Sequence, residues 1–373
     1  MKRIGNLWDK VTDIENIKEA HKCARKDKTF YREVRMVDAD LDFYAQEIQT
    51  LLRNKKYVVS NYRKQTINDK GKERVLMKLQ YYPDRIIQWA IMLQLEPIFL
   101  KTFCKHTCAS IPERGIQRAW NMIRGYLKND PKGTKYCYKM DVKKFYDNIN
   151  HDILKRKLRT KIKDNDLLWL LDTIIDSYPG EKGVPIGSYL SQYFANFYLS
   201  EFDHFLKETL RIKYCVRYMD DVVLFANTKE KLHYYHNQIR EFLLMEKLEI
   251  KGNYQIFSTG CRGVDFIGFR FFPHFILLRK KSIKRLKKLY RKIMKLQERK
   301  QIISFEDFCA VNSYAGWLLM CDSYKLREKY IAPIRKSVFL YYATQVPKKE
   351  KEKIKLYNRY VKKFNSKKGV KAA

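Results

Sequence analysis

Two adjacent acids inside an apolar run are the residues best suited to chemistry in this chain. Cys215-Val216-Arg217-Tyr218-Met219-Asp220-Asp221-Val222-Val223-Leu224-Phe225 sets Asp220 and Asp221 between two apolar segments. That pattern predicts a hairpin between buried strands. Carboxylates at the ends of buried strands are costly unless a cation or hydrogen bonds satisfy them. An Asp-Asp turn alone is common and carries no function, but its context changes the reading. Upstream stands Asp141, in Tyr138-Lys139-Met140-Asp141-Val142-Lys143-Lys144-Phe145-Tyr146-Asp147-Asn148-Ile149, and it too ends an apolar strand. Carboxylates from two neighbouring strands can hold two Mg²⁺ ions ~3.5–4 Å apart. One lowers the pKa of an attacking hydroxyl and the other stabilises the leaving oxygen of a phosphoryl displacement. Asp141 and Asp220 are the expected principal ligands, Asp221 assists, and Mn²⁺ can substitute.

The surrounding pattern predicts the elements that must position these acids. Residues 1–60 read as helical, with Leu41, Phe43, Tyr44, Ile48, Leu51 and Leu52 at helical spacing. Asn68-Asp69-Lys70-Gly71 is a turn signal between Tyr57-Val58-Val59 and Arg74-Val75-Leu76-Met77, read as paired strands. An apolar helix follows over 84–100. A strand at 136–141 precedes helices at 150–160, 166–177 and 188–209. Then come the strand pair around 218–221, a helix at 229–246 and short strands within 248–275. The order β-α-α-β-β-α-β suits an elaborated ferredoxin-like sheet. From 279 the chain turns helical and very basic. There Ile283, Leu286, Leu289, Tyr290, Ile293 and Leu296 make one apolar stripe, and Lys and Arg fill the rest.

Composition narrows the partner. The 373 residues carry 77 Lys and Arg against 41 Asp and Glu, a net charge of +36. With 45% hydrophobic and 14% aromatic residues, wholesale disorder is excluded. Such a basic folded chain needs a polyanion, and nucleic acid leads. The basic residues are not gathered into one amphipathic helix, which argues against a membrane surface as the rival. No run approaches the ~18–20 apolar residues of a membrane span, and the N-terminus lacks the apolar core of a secretory signal. The eight cysteines read as reduced intracellular thiols. Cys104, His106 and Cys108 cluster, but no second Cys/His pair completes four zinc ligands.

Taken in order, these motifs resemble the reverse transcriptases over roughly residues 60–330. An Asp followed five residues later by an aromatic matches Asp141 and Tyr146. Tyr-x-Asp-Asp matches 218–221 without a gap, and aromatic-x-Gly-aromatic matches Phe266-Ile267-Gly268-Phe269. The resemblance implies an α+β right-hand polymerase with fingers (1–135), a ferredoxin-like palm carrying the carboxylates (136–276), a helical basic thumb (277–345) and a basic tail (346–373). It implies that Asp141, Asp220 and Asp221 are catalytic, with the Val142 backbone carbonyl as a further metal ligand. Tyr146 becomes the gate that excludes a ribose 2′-hydroxyl. Phe266, Ile267, Gly268 and Phe269 become the primer grip. Lys72, Arg74 and Arg114 are candidates for the incoming nucleotide, and Arg85 matches a family pattern but can equally pair with Asp84. Lys284, Lys287, Lys288 and Arg291 are thumb candidates for template–primer phosphates. A general acid near Lys251-Gly252-Asn253-Tyr254 stays unassigned because the alignment there is ambiguous.

The glycine motif narrows the resemblance. Bacterial relatives carry Gln-Gly-x-x-x-Ser-Pro, whereas this chain has Ile186-Gly187-Ser188-Tyr189-Leu190-Ser191-Gln192. An aliphatic-Gly-x-x-x-Ser-Gln pattern resembles the reverse transcriptases of diversity-generating retroelements. Ile186, Gly187 and Gln192 are then expected at the nascent pair, where a weaker grip lowers the gap between right and wrong nucleotides. The implied function is error-prone cDNA synthesis, with errors opposite template adenines, from a template-repeat RNA. Implied partners are the RNA template, a DNA or RNA primer, dNTPs and an oligomeric accessory variability protein, in the cytoplasm of a bacterial or phage-infected cell. Three other readings stay open: a reverse transcriptase of a phage-defence or retron-like system, a catalytically silent RNA-binding protein, and a plain RNA-dependent RNA polymerase. An RNA-dependent RNA polymerase would not be expected to keep the bulky Tyr146.

Overall fold

A computed structural model describes residues 3–69 and 72–345, with the side chains of Asp69, Lys72 and Arg74 outside the description. The expected basic tail, 346–373, lies outside the described residues. The chain divides into two compact units, Met1–Thr259 and Gly260–Ala373. The stretch read as palm, 136–276, therefore contributes to both.

In the first unit, helices Trp8–Thr12, Ile14–Ala24, Arg32–Ala39 and Leu41–Arg53 open the chain, as the apolar spacing predicts. Asp13 and Asp40 cap two of them by accepting from the backbone N–H of Asn16 and Phe43. Trp8–Thr12 and Ile14–Ala24 pack on the apolar helix Ile86–Thr102, whose Ile87, Ala90, Ile91, Leu95 and Phe99 are fully buried, and Leu41–Arg53 packs on Ile14–Ala24.

A two-stranded ribbon pairs β1 (Arg63–Asp69) with β2 (Lys72–Lys78). This corrects the expectation for Tyr57-Val58-Val59. The register runs outward from Asp69↔Lys72 to Arg63↔Lys78, so Leu76 and Met77 face Gln65 and Lys64. A short loop forces the partner of each residue to lie close in sequence, and 57–59 are too far upstream. Tyr57 instead goes inside, where its hydroxyl donates to Asp84 at 2.7 Å.

The central sheet has four strands: β3 (Tyr136–Asp141), β4 (Tyr214–Tyr218), β5 (Asp221–Ala226) and β6 (Gln255–Ser258). Their spatial order is β4-β5-β3-β6 with every neighbour antiparallel. Helices fill the β3–β4 connection, and helix Lys229–Met245 fills the β5–β6 connection. This is the split β-α-β-β-α-β arrangement expected from the element order. The helix expected over 188–209 is interrupted: Tyr189–Tyr198 and Ser200–His204 are separated at Leu199, and a wider turn follows over Phe205–Thr209.

In the second unit, β7 (Val264–Phe266), β8 (Phe269–Phe271) and β9 (Ile276–Leu278) form a three-stranded meander. Helices Lys280–Glu298, Phe305–Leu318, Tyr324–Tyr330 and Arg335–Gln345 follow. Leu286 and Ile293 of the basic helix are fully buried, as its stripe predicts.

Leu224 sits mid-β5, opposite Tyr138 on one side and Cys215 on the other, and is fully buried. Leu224→Ala is expected to cost about 2–5 kcal/mol. A lowered urea midpoint of the transition that includes this sheet checks it, and an unchanged midpoint contradicts this packing.

Candidate active site

Register delivers the acids. β3 and β5 pair so that Asp141 lies opposite Asp221, the last residue of one strand against the first of the other. β4 and β5 pair with Tyr218 opposite Asp221, leaving Met219-Asp220 as a two-residue hairpin loop. Met219 takes φ +57°, the left-handed conformation such loops require and which a side chain makes costly. The loop folds over the end of β3, where Val142 N–H donates to the Asp220 carbonyl at 3.3 Å.

This brings the Asp141 and Asp220 carboxyls within hydrogen-bonding reach of each other. Burial, then the Asp141 charge, then Asp221, push the Asp220 carboxyl up to about 7. Two acids held together in a half-buried place, with one resisting ionisation, are short of positive charge. A hard divalent cation fits that deficit: Mg²⁺ needs only one or two protein carboxylates when substrate phosphates and water complete its shell. Asp141 and Asp220 can supply those two. Among the described residues, no group of three or more His, Cys, Asp or Glu side chains is gathered closely enough to hold a metal, and Asp221 stands opposite Asp141 in the strand pairing. The Val142 carbonyl is left out of the bridge that Val142 makes with Ile250. That bridge uses Lys143 N–H to the Glu249 carbonyl and Lys251 N–H to the Asp141 carbonyl.

The same bridge places a residue the sequence left unassigned. Lys251 Nζ lies 3.4 Å from Asp141 Oδ2, so an ammonium stands beside the acid pair. Tyr146, on the short helix Phe145–Asn148, donates its hydroxyl to Met219 Sδ at 3.8 Å. Burial and Asp220 raise its phenol, which stays protonated. Tyr146 thus stands against the loop that carries Asp220.

The turn through Ile186 and Gly187 leads into helix Tyr189–Tyr198. Gly187 is exposed at φ +112°, and a Cβ there would meet nothing within 4 Å. Its backbone is therefore open to approach by another molecule. Ser188 beside it donates to Gln88 Oε1 at 2.7 Å, and Tyr189 stacks on Trp89 at 4.4 Å, tying the turn to helix Ile86–Thr102. Ile186 and Gln192 are half-buried.

Arg114 stands immediately before helix Gly115–Asn129. Its Nη1 donates to the carbonyls of Cys104 (2.7 Å) and Thr107 (2.9 Å), bracing the loop before helix Gly115–Asn129. In that loop, burial pushes the Cys104 and Cys108 thiols up to about 11, against thiolate ligation. Asp84 is buried and accepts from Tyr57 and Ser60. Lys72 and Arg74 fall on β2, with side chains outside the description.

In the second unit, Phe266 and Phe269 pair across the β7–β8 hairpin and are buried. Ile267 and Gly268 form its tip at φ +42° and +93°. A β-branched residue is rarely found there. Lys284, Lys288 and Arg291 are exposed on the basic helix, while Lys287 lies 5.8 Å from the Tyr330 ring centroid.

The raised Asp220 carboxyl has a consequence for stability. Its folded pKa exceeds the unfolded value, so its contribution is present below about pH 4 and lost as pH rises through about 7. Asp220→Asn lacks that loss. At pH 8 in chelator, the variant is expected to melt at least ~2 °C above the unaltered chain, with the gap shrinking toward pH 4. An equal or lower melting temperature at pH 8 contradicts the charge crowding.

Residues 62–271 match the model of the family described as reverse transcriptase (RNA-dependent DNA polymerase). Protein YkfC of Escherichia coli K12 is 27% identical over 135 residues, 34% of this chain and 35% of that protein. The group II intron-encoded protein LtrA of Lactococcus lactis subsp. cremoris is 28% identical over 141 residues, 36% of this chain and 23% of that protein. The match thus spans about a third or less of either relative. Among solved structures, a telomerase from Candida albicans, in complex with a fragment of telomeric RNA, aligns at 12% identity and TM-score 0.46. It covers 81% of this chain and 64% of that one. An apo telomerase from Candida tropicalis aligns at 16% identity and TM-score 0.45, covering 61% and 58%. The family match runs over more than half of the sequence, so the chain belongs to the reverse transcriptase (RNA-dependent DNA polymerase) family and has its α+β right-hand polymerase fold.

Proposed function

We propose that this protein is an RNA-directed DNA polymerase whose chemistry is held by Asp141 and Asp220. The observation that supports it is the meeting of these two carboxyls at the ends of adjacent strands, with Tyr146 against the same loop. Divalent cations, when bound, supply the charge that activates a primer 3′-hydroxyl and stabilises the leaving pyrophosphate. Asp141 and Asp220 are the residues that hold them, with Asp221 and the Val142 carbonyl available from the flanking backbone. Tyr146 closes the sugar pocket against a 2′-hydroxyl. Lys251 offers an ammonium beside Asp141 that can meet phosphate charge or give a proton.

Gly187, with Ile186 and Gln192 around it, lies against the nascent pair. The exposed basic face of helix Lys280–Glu298 meets template–primer phosphates through Lys284, Lys288 and Arg291, with Lys287 alongside. Phe266, Ile267, Gly268 and Phe269 grip the primer, and Lys72 and Arg74 meet the triphosphate. Arg114 acts at one remove, by bracing its loop. A basic nucleic-acid enzyme suits work in the cytoplasm, and no helix among its described residues is long and apolar enough to cross a membrane.

Within this activity, we assign the enzyme to a diversity-generating retroelement on the Ile186-Gly187-x-x-x-Ser191-Gln192 pattern. It copies the element's own RNA with errors opposite adenine and works with an oligomeric accessory protein.

Primer extension on an RNA template with Mg²⁺ and dNTPs, followed by product sequencing, tests both levels. Asp220→Asn is expected to lower the rate ~10³-fold or more, since the cation's contribution to the barrier is several kcal/mol. Errors are expected to concentrate opposite adenine. An even, low error rate keeps the polymerase and removes the retroelement assignment, leaving the defence reading. Persistent inactivity with native RNA and accessory protein supplied favours a silent RNA-binding protein. Tyr146→Ala is expected to raise use of ribonucleotides relative to dNTPs ~10–100-fold, and unchanged selectivity contradicts the gate.

A further inference from the structure

Arg217, one residue before the Tyr218-Met219-Asp220-Asp221 run, has both faces of its strand covered and is 0% exposed. A fully buried guanidinium must spend its donors on fixed partners. Nε donates to Asp203 Oδ1 at 2.7 Å and Nη2 to Asp203 Oδ2 at 2.6 Å, a two-pronged pair with helix Ser200–His204. Nη1 is left over. It donates to Asn196 Oδ1 at 3.1 Å and to the Met219 carbonyl at 3.0 Å.

The Met219 carbonyl belongs to the hairpin loop, immediately before Asp220. Arg217 therefore ties the loop that carries a reacting carboxylate to the interior of the first unit.

The anchor is itself anchored. Asp203 is also 0% exposed and accepts from Thr107 Oγ1 at 2.6 Å, with His106 Nε2 at 3.2 Å but poorly aligned for a hydrogen bond. Burial would raise the Asp203 carboxyl, yet Arg217 and His106 hold it well below the usual carboxylate range. Asn196 Nδ2 donates to the Ala109 carbonyl at 2.9 Å. The Arg217 backbone exchanges bonds with the same loop, N–H to the His106 carbonyl at 3.0 Å and carbonyl from Cys108 N–H at 2.9 Å. Helix Tyr189–Tyr198 and helix Ser200–His204 thus converge on one guanidinium, and loop 104–114 holds both its partners and its backbone.

We propose that Arg217, held by Asp203 and Asn196, is a positioning residue that fixes the Met219-Asp220 loop so that the Asp220 carboxylate meets Asp141. Only a planar fork with donors in three directions can do this. A lysine could keep the charge against Asp203, but its single nitrogen cannot also hold Asn196 and the loop carbonyl. The inference rests on the polymerase reading above. It adds that loop geometry, and not only the acids themselves, limits the chemical step.

Arg217→Lys is the first variant. Its kcat for single-nucleotide incorporation is expected to fall about 10–100-fold, the scale of a small misplacement of a reacting group. The KM for dNTP is expected to stay within about twofold. In the metal-free protein, hydrogen exchange of amides 218–222 is expected to speed up about tenfold or more, while helix Ile86–Thr102 exchanges as before. Should this variant fail to fold, the pair Arg217→Met with Asp203→Leu replaces the buried ions by apolar groups. That kind of exchange is often tolerated, and the same kcat and exchange signature is expected of it.

A folded variant with unaltered kcat and unaltered exchange at 218–222 overturns the proposal. So does faster exchange spread evenly over the unit, which marks mere stabilisation. If the unaltered chain extends no primer, the polymerase reading fails separately, and the exchange comparison alone decides whether Arg217 holds the loop.

Discussion

The antiparallel register between β3 and β5 is the constraint on which the rest of the site depends. It sets Asp141 opposite Asp221, and the hairpin that starts β5 then delivers Asp220 across the end of β3. Side chains alternate along a strand, so a slip of one residue would turn every acid to the other face. The buried Val222, Leu224, Tyr138 and Met140 make such a slip expensive. The apolar content of these strands is therefore part of the chemistry: it fixes where two like charges must meet.

Two aspartates in this unit show opposite electrostatics. Asp203 is buried with an arginine wrapped around both oxygens, and its carboxyl is held far down. Asp220 is half-buried against other acids, and its carboxyl is pushed up to about 7. The first is a closed account of charge that stabilises geometry. The second is left open toward solvent, and an arriving cation can close it. One guanidinium links them through the Met219 carbonyl.

Much of this was legible in the sequence. Asp141, Tyr146, Asp220 and Asp221 stand in runs whose apolar flanks announce strands, and the stripe from Ile283 to Ile293 announces an amphipathic helix. The sheet order followed from the succession of elements. The ribbon was misplaced because Tyr57-Val58-Val59 is more β-like than Arg63–Asp69, yet loop length, not propensity, sets the partner. That Arg114 Nη1 serves two loop carbonyls leaves no sequence signal, because both partners are set by how the loop folds. Lys251 was ambiguous because only the long-range bridge between Val142 and Ile250 brings it to Asp141. Arg217 did leave a signal, a charge inside Cys215-Val216-Arg217. Its partner Asp203 lies on a helix outside that run, and no local pattern pairs them.

Asp141 and Asp220 are proposed to hold together the divalent cations of a phosphoryl-transfer site. The most direct measurement is a Mn²⁺ titration by electron paramagnetic resonance, with a chain-terminated primer on RNA template and the matching dNTP present. Two bound ions per chain are expected, with the binding weakened at least about tenfold by Asp141→Asn and by Asp220→Asn alike. Mn²⁺ binding that either substitution leaves unchanged would contradict it.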